Sequence, residues 1–357
     1  MKRLMVVAAG TGGHVMPGLA VAGELQRRGW TVSWLGTSRG MERSLVEPHG
    51  IAFRAIDFSS LRGKGLRTLV FGGFLLLRAI WQSRRIIRSD RPDAVFSTGG
   101  YVAVPAGMAA SSLGVPVVLL NPDAAPLMST KLLAPLVSGV LCGFDGEAAR
   151  KAGDKGLVTG NPVRPEIAAV PAPAERYRGR TGALRLLVIG GSLGAQALNE
   201  TLPLALARIP EQRRPQVVHQ CGAKHLDAVR DAYAKAGVRA EIVTFIEDMA
   251  ARYAEADLVL ARAGAITVAE LAAAGVPSIL VPLVVSTTHH QRTNAEFMAA
   301  QNAAIHLPQG EATAERLAGL LAGLDRARLQ SMAESARAVG RPDATATVAT
   351  VIEKVAA

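Results

Sequence analysis

Three short stretches of the chain carry residue types arranged as ligand sites are arranged. The run Arg262-Ala263-Gly264-Ala265-Ile266-Thr267-Val268-Ala269-Glu270 follows an apolar stretch and reads as the opening of a helix. The first N–H groups of a helix have no intrahelical acceptor and share a partial positive charge. Ala265 to Thr267 therefore suit a diphosphate. Glu270 comes one turn later, where its carboxylate can accept hydrogen bonds from the two hydroxyls of a ribose. Taken alone, an acid at that position is an ordinary helix-surface residue. Near the start, Gly10-Thr11-Gly12-Gly13 lies between a strand and a helix expected to begin near Pro17, with His14 directly after it. Glycines let a backbone approach a ligand closely, and a histidine at the mouth of such a loop is a candidate base. Further on, His289-His290-Gln291 with Asn294 reads as a polar loop for sugar hydroxyls. No cysteine or carboxylate stands at metal-ligand spacing, and no Asp-x-Asp pair is present to hold a metal on a diphosphate. Helix dipoles and Arg164 must then neutralise a leaving diphosphate, and no metal or other cofactor is expected.

These loops need a scaffold that presents them at one edge. Short β-branched runs alternate with helical patterns, the signature of parallel sheets covered by helices. In the first half the strands are expected at Leu4–Ala8, Thr31–Leu35, Ala52–Ile56, Ala94–Phe96, Val117–Leu119 and Gly139–Leu141. In the second they are expected at Leu186–Ile189, Gln216–His219, Glu241–Thr244, Leu258–Leu260, Ser278–Val281 and Ala304–His306. The turn-rich Gly160-Asn161-Pro162-Val163-Arg164-Pro165 marks a join, and Gly340-Arg341-Pro342 precedes one last helix able to cross back to the first domain. Val6 to Gly13 and Val188 to Gly194 form a faint repeat, each reading strand, glycine loop, helix. The reading is α/β: two doubly wound Rossmann-like domains with a cleft between them, residues 1–160 with 341–357 and residues 161–340.

Several familiar classes are excluded. Val15 stands where Gly-x-Gly-x-x-Gly needs its third glycine, and Leu35-Gly36-Thr37-Ser38 ends the second strand without an acid, so a nicotinamide cofactor is not expected. There is no Gly-x4-Gly-Lys-Ser/Thr loop. Two cysteines, Cys142 and Cys221, make no disulfide framework and suit a reducing cytoplasm. No signal peptide is expected, and the apolar stretch Tyr101–Leu120 is broken by Pro105 and Pro116, so it reads as helix, turn and core strand rather than a membrane span.

The formal net charge is +11, and residues 1–160 hold 19 Lys/Arg against 10 Asp/Glu, the remainder 21 against 19. The basic first half calls for an anionic partner. Arg62, Lys64, Arg67, Arg78, Arg84, Arg85 and Arg88 fall in one acid-free run, interleaved with Phe71, Phe74, Leu75, Trp81 and other apolar residues. A solvated basic face beside a buried helix is the plain account. At about 1 kcal/mol per basic residue near an anionic leaflet, the run also suits reversible binding to a membrane surface. Nucleic acid is not the expected partner, because aromatics are few and no recognition motif accompanies the charge.

From end to end the chain resembles the MurG family, the bacterial peptidoglycan N-acetylglucosaminyltransferases. The resemblance rests on Gly10-Thr11-Gly12-Gly13-His14-Val15-Met16-Pro17-Gly18-Leu19-Ala20, Leu61-Arg62-Gly63-Lys64-Gly65, Gly99-Gly100-Tyr101 and Gly160-Asn161-Pro162-Val163-Arg164. It continues in Gly190-Gly191-Ser192-Leu193-Gly194-Ala195, Phe245-Ile246-Glu247-Asp248-Met249, Gly264 to Glu270, and Gln291 with Asn294. It implies a GT-B fold, UDP-N-acetylglucosamine as donor, and as acceptor the lipid-linked muramyl-pentapeptide, lipid I. The product would be lipid II, made with inversion at the cytoplasmic face of the inner membrane by a peripheral protein beside other cell-wall synthesis or division proteins. It also implies that Arg164, Ser192, Ile246, Ala265, Ile266, Thr267, Val268, Ala269, Glu270 and Gln291 hold the donor. The Ile246 backbone would read uracil, and Glu270 the ribose. Thr11, Gly12, Gly13, His14 and Tyr101 would line the acceptor side or the donor's sugar. Where the family has His-Glu-Gln-Asn, this chain has Leu120-Asn121-Pro122-Asp123, so the family's asparagine contact to the donor falls on Asp123. Where it has Thr-Asn-Lys, this chain has Ser129-Thr130-Lys131, and His289 replaces an acid often found before the His-Gln pair.

The expected chemistry is a single displacement, with His14, or alternatively Asp123, taking the proton from the acceptor hydroxyl. Three rivals share the features above: another GT-B glycolipid transferase, a UDP-GlcNAc 2-epimerase, and a non-catalytic nucleotide-sugar-binding protein.

Overall fold

The computed structural model describes residues 1–10, 12–59, 65–191, 194–283 and 289–357, except for the side chains of residues 65–71. Thr11, Ser192, Arg62 and Lys64, and the side chains of Arg67 and Phe71, lie outside the described residues. The chain forms two compact units, Met1–Arg164 with Asp343–Ala357, and Pro165–Pro342.

The first unit holds a seven-stranded sheet: β1 (Arg3–Val7), β2 (Thr31–Thr37), β3 (Ala52–Ile56), β4 (Ala94–Ser97), β5 (Val117–Asn121), β6 (Gly139–Cys142) and β7 (Gly156–Val158). Its order is β3-β2-β1-β4-β5-β6-β7, and every pair is parallel. Such a sheet is buried on both faces, so its strands are apolar throughout rather than alternating. Leu4 and Val6 pack with Trp34, Val21 and Leu25 on one face. Met5 and Val7 pack with Ala79, Ile87 and Ala106 on the other. The helix Ala344–Val355 returns to this unit, burying Val348, Ala349 and Ile352 in the first of those clusters.

The second unit holds β8 (Arg185–Ile189), β9 (Gln216–Gln220), β10 (Glu241–Val243), β11 (Leu258–Ala261), β12 (Ser278–Leu280) and β13 (Ala304–His306), in the order β10-β9-β8-β11-β12-β13. These pairs are parallel too. The segment after Arg164 is tied to the sheet through Asp257, a fully buried acid. It accepts from Arg180 at 2.7 Å and from the Arg185 amide at 2.9 Å, so its burial is matched by a partner charge.

In both sheets the chain starts in the middle, builds outward on one side, then restarts on the other. Neighbouring helices diverge at that point, leaving a crevice beyond the strand ends. The switch falls between β1 and β4 in the first unit and between β8 and β11 in the second. Within each unit it places the loops after those two strands side by side.

Two local expectations are corrected. The first helix runs Gly12–Arg27, with Pro17 inside it rather than at its start. The proline removes a single N–H close to the helix start, and the apolar face it carries, Val15 to Leu25, is buried. β7 was not foreseen: it is three residues long, only partly buried, and formed by pairing with β6 alone.

One buried group gives the second unit a pH dependence. His219 is fully buried, with Nδ1 2.9 Å from the Tyr233 hydroxyl and Nε2 3.0 Å from Asn199 Oδ1. Asn199 donates its own N–H to the Cys221 carbonyl, so its oxygen accepts from Nε2–H, and Nδ1 accepts from tyrosine. Burial pushes the imidazole pKa from the usual 6.5 down to about 4. The unfolded chain binds this proton below pH 6.5 and the folded chain only near 4. The stability is therefore full above pH 6.5 and is lost as the pH falls towards 4, by roughly 3 kcal/mol. We predict that the urea midpoint of this unit falls over that window and that His219→Gln flattens the fall. An equal slope in the variant would assign it to other groups.

Candidate active site

At the switch point of the first unit, His14 sits in the first turn of its helix and meets the loop after β4. Its Nδ1 lies 2.9 Å from the Thr98 carbonyl oxygen, and the Thr98 hydroxyl donates back to the His14 carbonyl at 2.7 Å. A carbonyl only accepts, so Nδ1 carries the hydrogen and the neutral ring keeps its lone pair on Nε2. Desolvation lowers the His14 pKa, opposed by the Thr98 hydrogen bond and by the charge of Asp123. The ring is therefore held neutral and able to accept a proton at neutral pH.

Gly99 and Gly100 pack on this ring. A Cβ at Gly99 would lie 3.3 Å from His14 Cε1, and one at Gly100 would lie 2.7 Å from the Ala9 carbonyl. Both have positive φ, +97° and +79°, which is where glycine is needed. Tyr101, half-buried, comes next, and its ring lies 4.0 Å from where a Gly10 Cβ would sit. Gly12 and Gly13 form the start of the helix itself. His14, Tyr101 and the two glycine loops thus share one sheet edge.

Asp123 is on the loop after β5, and the organiser of that loop is Asn121. Its Nδ2 donates to the carbonyls of Asp123 and Ala125 at 2.6 and 3.1 Å, and its Oδ1 accepts from the Leu127 amide and the Thr130 hydroxyl at 2.8 and 2.7 Å. Asn161 adds a bond to the Pro122 carbonyl at 2.8 Å. The residues at which the chain departs from the family pattern therefore build a pinned loop. Asn121 was not singled out from the sequence. Its signal was one polar residue ending an apolar strand. Arg164, half-buried, is the last residue of the first unit before the chain changes unit.

In the second unit, β11 ends at Ala261 and the helix Ala265–Ala274 begins after Gly264, which has extended backbone and offers no side-chain cap. The first intrahelical bond there runs from the Val268 amide to the Gly264 carbonyl at 2.9 Å, so the N–H groups of Ala265, Ile266 and Thr267 precede the ladder. Val268 and Ala269 are buried. So is Glu270, at 9 % exposure, which rules out the helix-surface reading. Its Oε2 accepts from the Tyr253 hydroxyl at 3.2 Å.

Asn294 donates to the Ala263 carbonyl at 3.1 Å, and Gln291 Oε1 accepts from the Leu283 amide at 2.8 Å. Both side chains thus brace the loops after β11 and β12. Ile246 lies on the loop after β10, its side chain buried and Phe245 beside it exposed. On the loop after β8, Gly191 has φ +77°, and its carbonyl accepts from Gln220 Nε2 at 3.1 Å.

The first unit also carries the helix Gly65–Asp90. It buries Ala79, Ser83 and Ile87 and leaves Phe74, Leu77 and Trp81 exposed at 68 %, 67 % and 61 %. Leu75 and the basic Arg78 and Arg85 are exposed as well. Among the described residues no helix is long and apolar enough to cross a membrane.

Two doubly wound units with glycine-containing loops at their switch points are the architecture of a GT-B glycosyltransferase. Residues 4–142 match the glycosyltransferase family 28 N-terminal domain and residues 185–353 the glycosyltransferase family 28 C-terminal domain. A relative from Janthinobacterium sp. (strain Marseille) is 57% identical over 354 residues, 99% of each chain. It is described as a UDP-N-acetylglucosamine–N-acetylmuramyl-(pentapeptide) pyrophosphoryl-undecaprenol N-acetylglucosamine transferase. The crystal structure of Acinetobacter baumannii MurG superposes with a TM-score of 0.84 at 37% identity, covering 99% of this chain and 100% of that one. The chain belongs to the MurG family of glycosyltransferases. A UDP-GlcNAc 2-epimerase from Neisseria meningitidis, at 16% identity and a TM-score of 0.67 over 99% of this chain and 100% of that one, shares the fold alone.

Proposed function

We propose that this UDP-GlcNAc-dependent N-acetylglucosaminyltransferase moves GlcNAc to the 4-hydroxyl of lipid I, forming lipid II with inversion at the anomeric carbon. The observation that carries the reading is the uncapped start of the helix at Ala265 with the buried Glu270 one turn behind it. Three N–H groups pointing along a helix axis suit the diphosphate of UDP, and a carboxylate at that distance suits its ribose. The Ile246 backbone serves the base, and Gln291, Arg164 and Ser192 complete the donor set. Thr11, Gly12, Gly13, Tyr101 and Asp123 serve the sugar and the acceptor. As the diphosphate leaves, the helix dipole and Arg164 take up its charge, so the step needs no metal.

His14 is the base in this scheme. Its Nδ1 hydrogen is held by Thr98, leaving Nε2 to take the proton of the attacking hydroxyl as the C–O bond to UDP breaks on the opposite face. Asp123, whose charge favours the imidazolium, would stabilise the protonated ring. Because the His14 pKa lies below 6.5, kcat/KM should hold from neutral pH down to that value and fall in more acidic buffer. Transfer of label from UDP-GlcNAc to a short-chain lipid I analogue, with chelator present, tests the reaction. Donor turnover without any acceptor would instead mark an epimerase. His14→Ala is expected to lower kcat by about 10²-fold or more with UDP affinity retained. An unchanged rate would remove His14 as the base.

The exposed Phe74, Leu77 and Trp81 beside Arg78 and Arg85 support docking on an anionic membrane surface, at the cytoplasmic face where lipid I is presented. The expected partner is the leaflet itself. Co-sedimentation with phosphatidylglycerol vesicles should fall at least tenfold in the Phe74→Glu/Trp81→Glu protein. Undiminished binding would place the contact elsewhere.

A further inference from the structure

At the end of β2, beside the first glycine loop, lies a carboxylate that the reaction scheme leaves unused. Glu42 is fully buried. Its Oε1 accepts from the Thr37 amide at 2.7 Å and from the Thr37 hydroxyl at 2.6 Å. Its Oε2 is buried with no hydrogen-bond partner among the described residues. Two glycines make room for it: a Cβ at Gly36 would lie 2.9 Å from Glu42 Cγ, and one at Gly40 would collide with Oε2. A buried acid without a counter-charge is costly to fold. The described contacts of this one all go to a single threonine.

The threonine leads back to the site. Thr37 Oγ1 lies 3.4 Å from the Tyr101 hydroxyl. A threonine hydroxyl has one hydrogen, and here Glu42 takes it. Only the Tyr101 hydroxyl can then supply the hydrogen between Tyr101 and Thr37. With its hydrogen directed inward, tyrosine presents only lone pairs outward.

We propose that Glu42, acting through Thr37, sets the Tyr101 hydroxyl as a hydrogen-bond acceptor for an O–H or N–H group of the incoming acceptor substrate. Glu42 and Thr37 are positioning residues, and Tyr101 is the specificity contact. The inference rests on the reading above that Tyr101 lines the acceptor side. It adds a polarity: a group on the substrate that can only accept is rejected there, because two acceptors would face each other.

The test is steady-state kinetics of the full-length enzyme, with UDP-GlcNAc and a lipid I analogue varied separately. Thr37→Val keeps the shape and removes the hydroxyl, Thr37→Ser restores it, and Tyr101→Phe removes the contact itself. We expect Thr37→Val and Tyr101→Phe each to raise the acceptor KM about tenfold, and Thr37→Val to leave kcat and the UDP-GlcNAc KM within twofold of wild type. Thr37→Ser should stay close to wild type. The double variant should be no worse than either single one, because both remove the same interaction. A merely structural role for Thr37 would move both KM values together and make the two effects multiply, and that result overturns the proposal. So does an acceptor KM unmoved by Tyr101→Phe, a variant that does not disturb the buried acid. Failure of the wild-type protein to transfer GlcNAc at all would refute the underlying functional reading. Wild-type transfer with an insensitive acceptor KM refutes this inference alone.

Discussion

The helix that begins at Ala265 starts without help from its own sequence. Its cap position is Gly264, which has no side chain to accept from the first N–H groups, and its first turn carries no acid. A serine or aspartate at such a position commonly contributes about 1 kcal/mol to stability. Leaving it bare keeps three oriented dipoles available for an anion that is not part of the chain. The surrounding contacts maintain that arrangement. Asn294 fixes the carbonyl of Ala263 just before the turn, Gln291 braces the next loop, and Glu270 is buried behind with Tyr253 on one oxygen.

The first unit solves a complementary problem with the same topology. The base proposed for the reaction must be neutral, oriented and still reachable. His14 gains orientation from a reciprocal pair of bonds with Thr98 and neutrality from desolvation, while Gly99 and Gly100 let the backbone close on the ring. Thr98 follows β4 and His14 follows β1. The two meet only because those strands are neighbours at the point where the strand order reverses. Here the fold makes the proposed chemistry possible: a different strand order would keep His14 and Thr98 apart.

The sheet strands were legible because parallel strands buried on both faces are continuous apolar runs of recognisable length, as in Leu4 to Val7 or Leu186 to Ile189. β7 escaped for the opposite reason, since Gly156-Leu157-Val158 is half exposed and acquires its conformation from β6. Pro17 misled the placement of the first helix because proline marks helix starts more often than it sits inside one. Glycine loops and the acid at 270 were visible as motifs. The burial of Glu270 was less so, because it depends on Tyr253 and on a helix that is apolar on nearly every side. Asn121 and Glu42 were invisible in their roles. Each reads locally as an unremarkable polar residue, and only tertiary contacts turn one into a loop pin and the other into a buried acceptor.

The helix at Ala265 carries the proposed grip on UDP, and a crystal structure of the protein with UDP tests that role most directly. The diphosphate should lie within hydrogen-bond distance of the N–H groups of Ala265 to Thr267, with both ribose hydroxyls on Glu270 and uracil against the Ile246 backbone. UDP bound elsewhere, or a Glu270 carboxylate making no contact with the ribose, would contradict it.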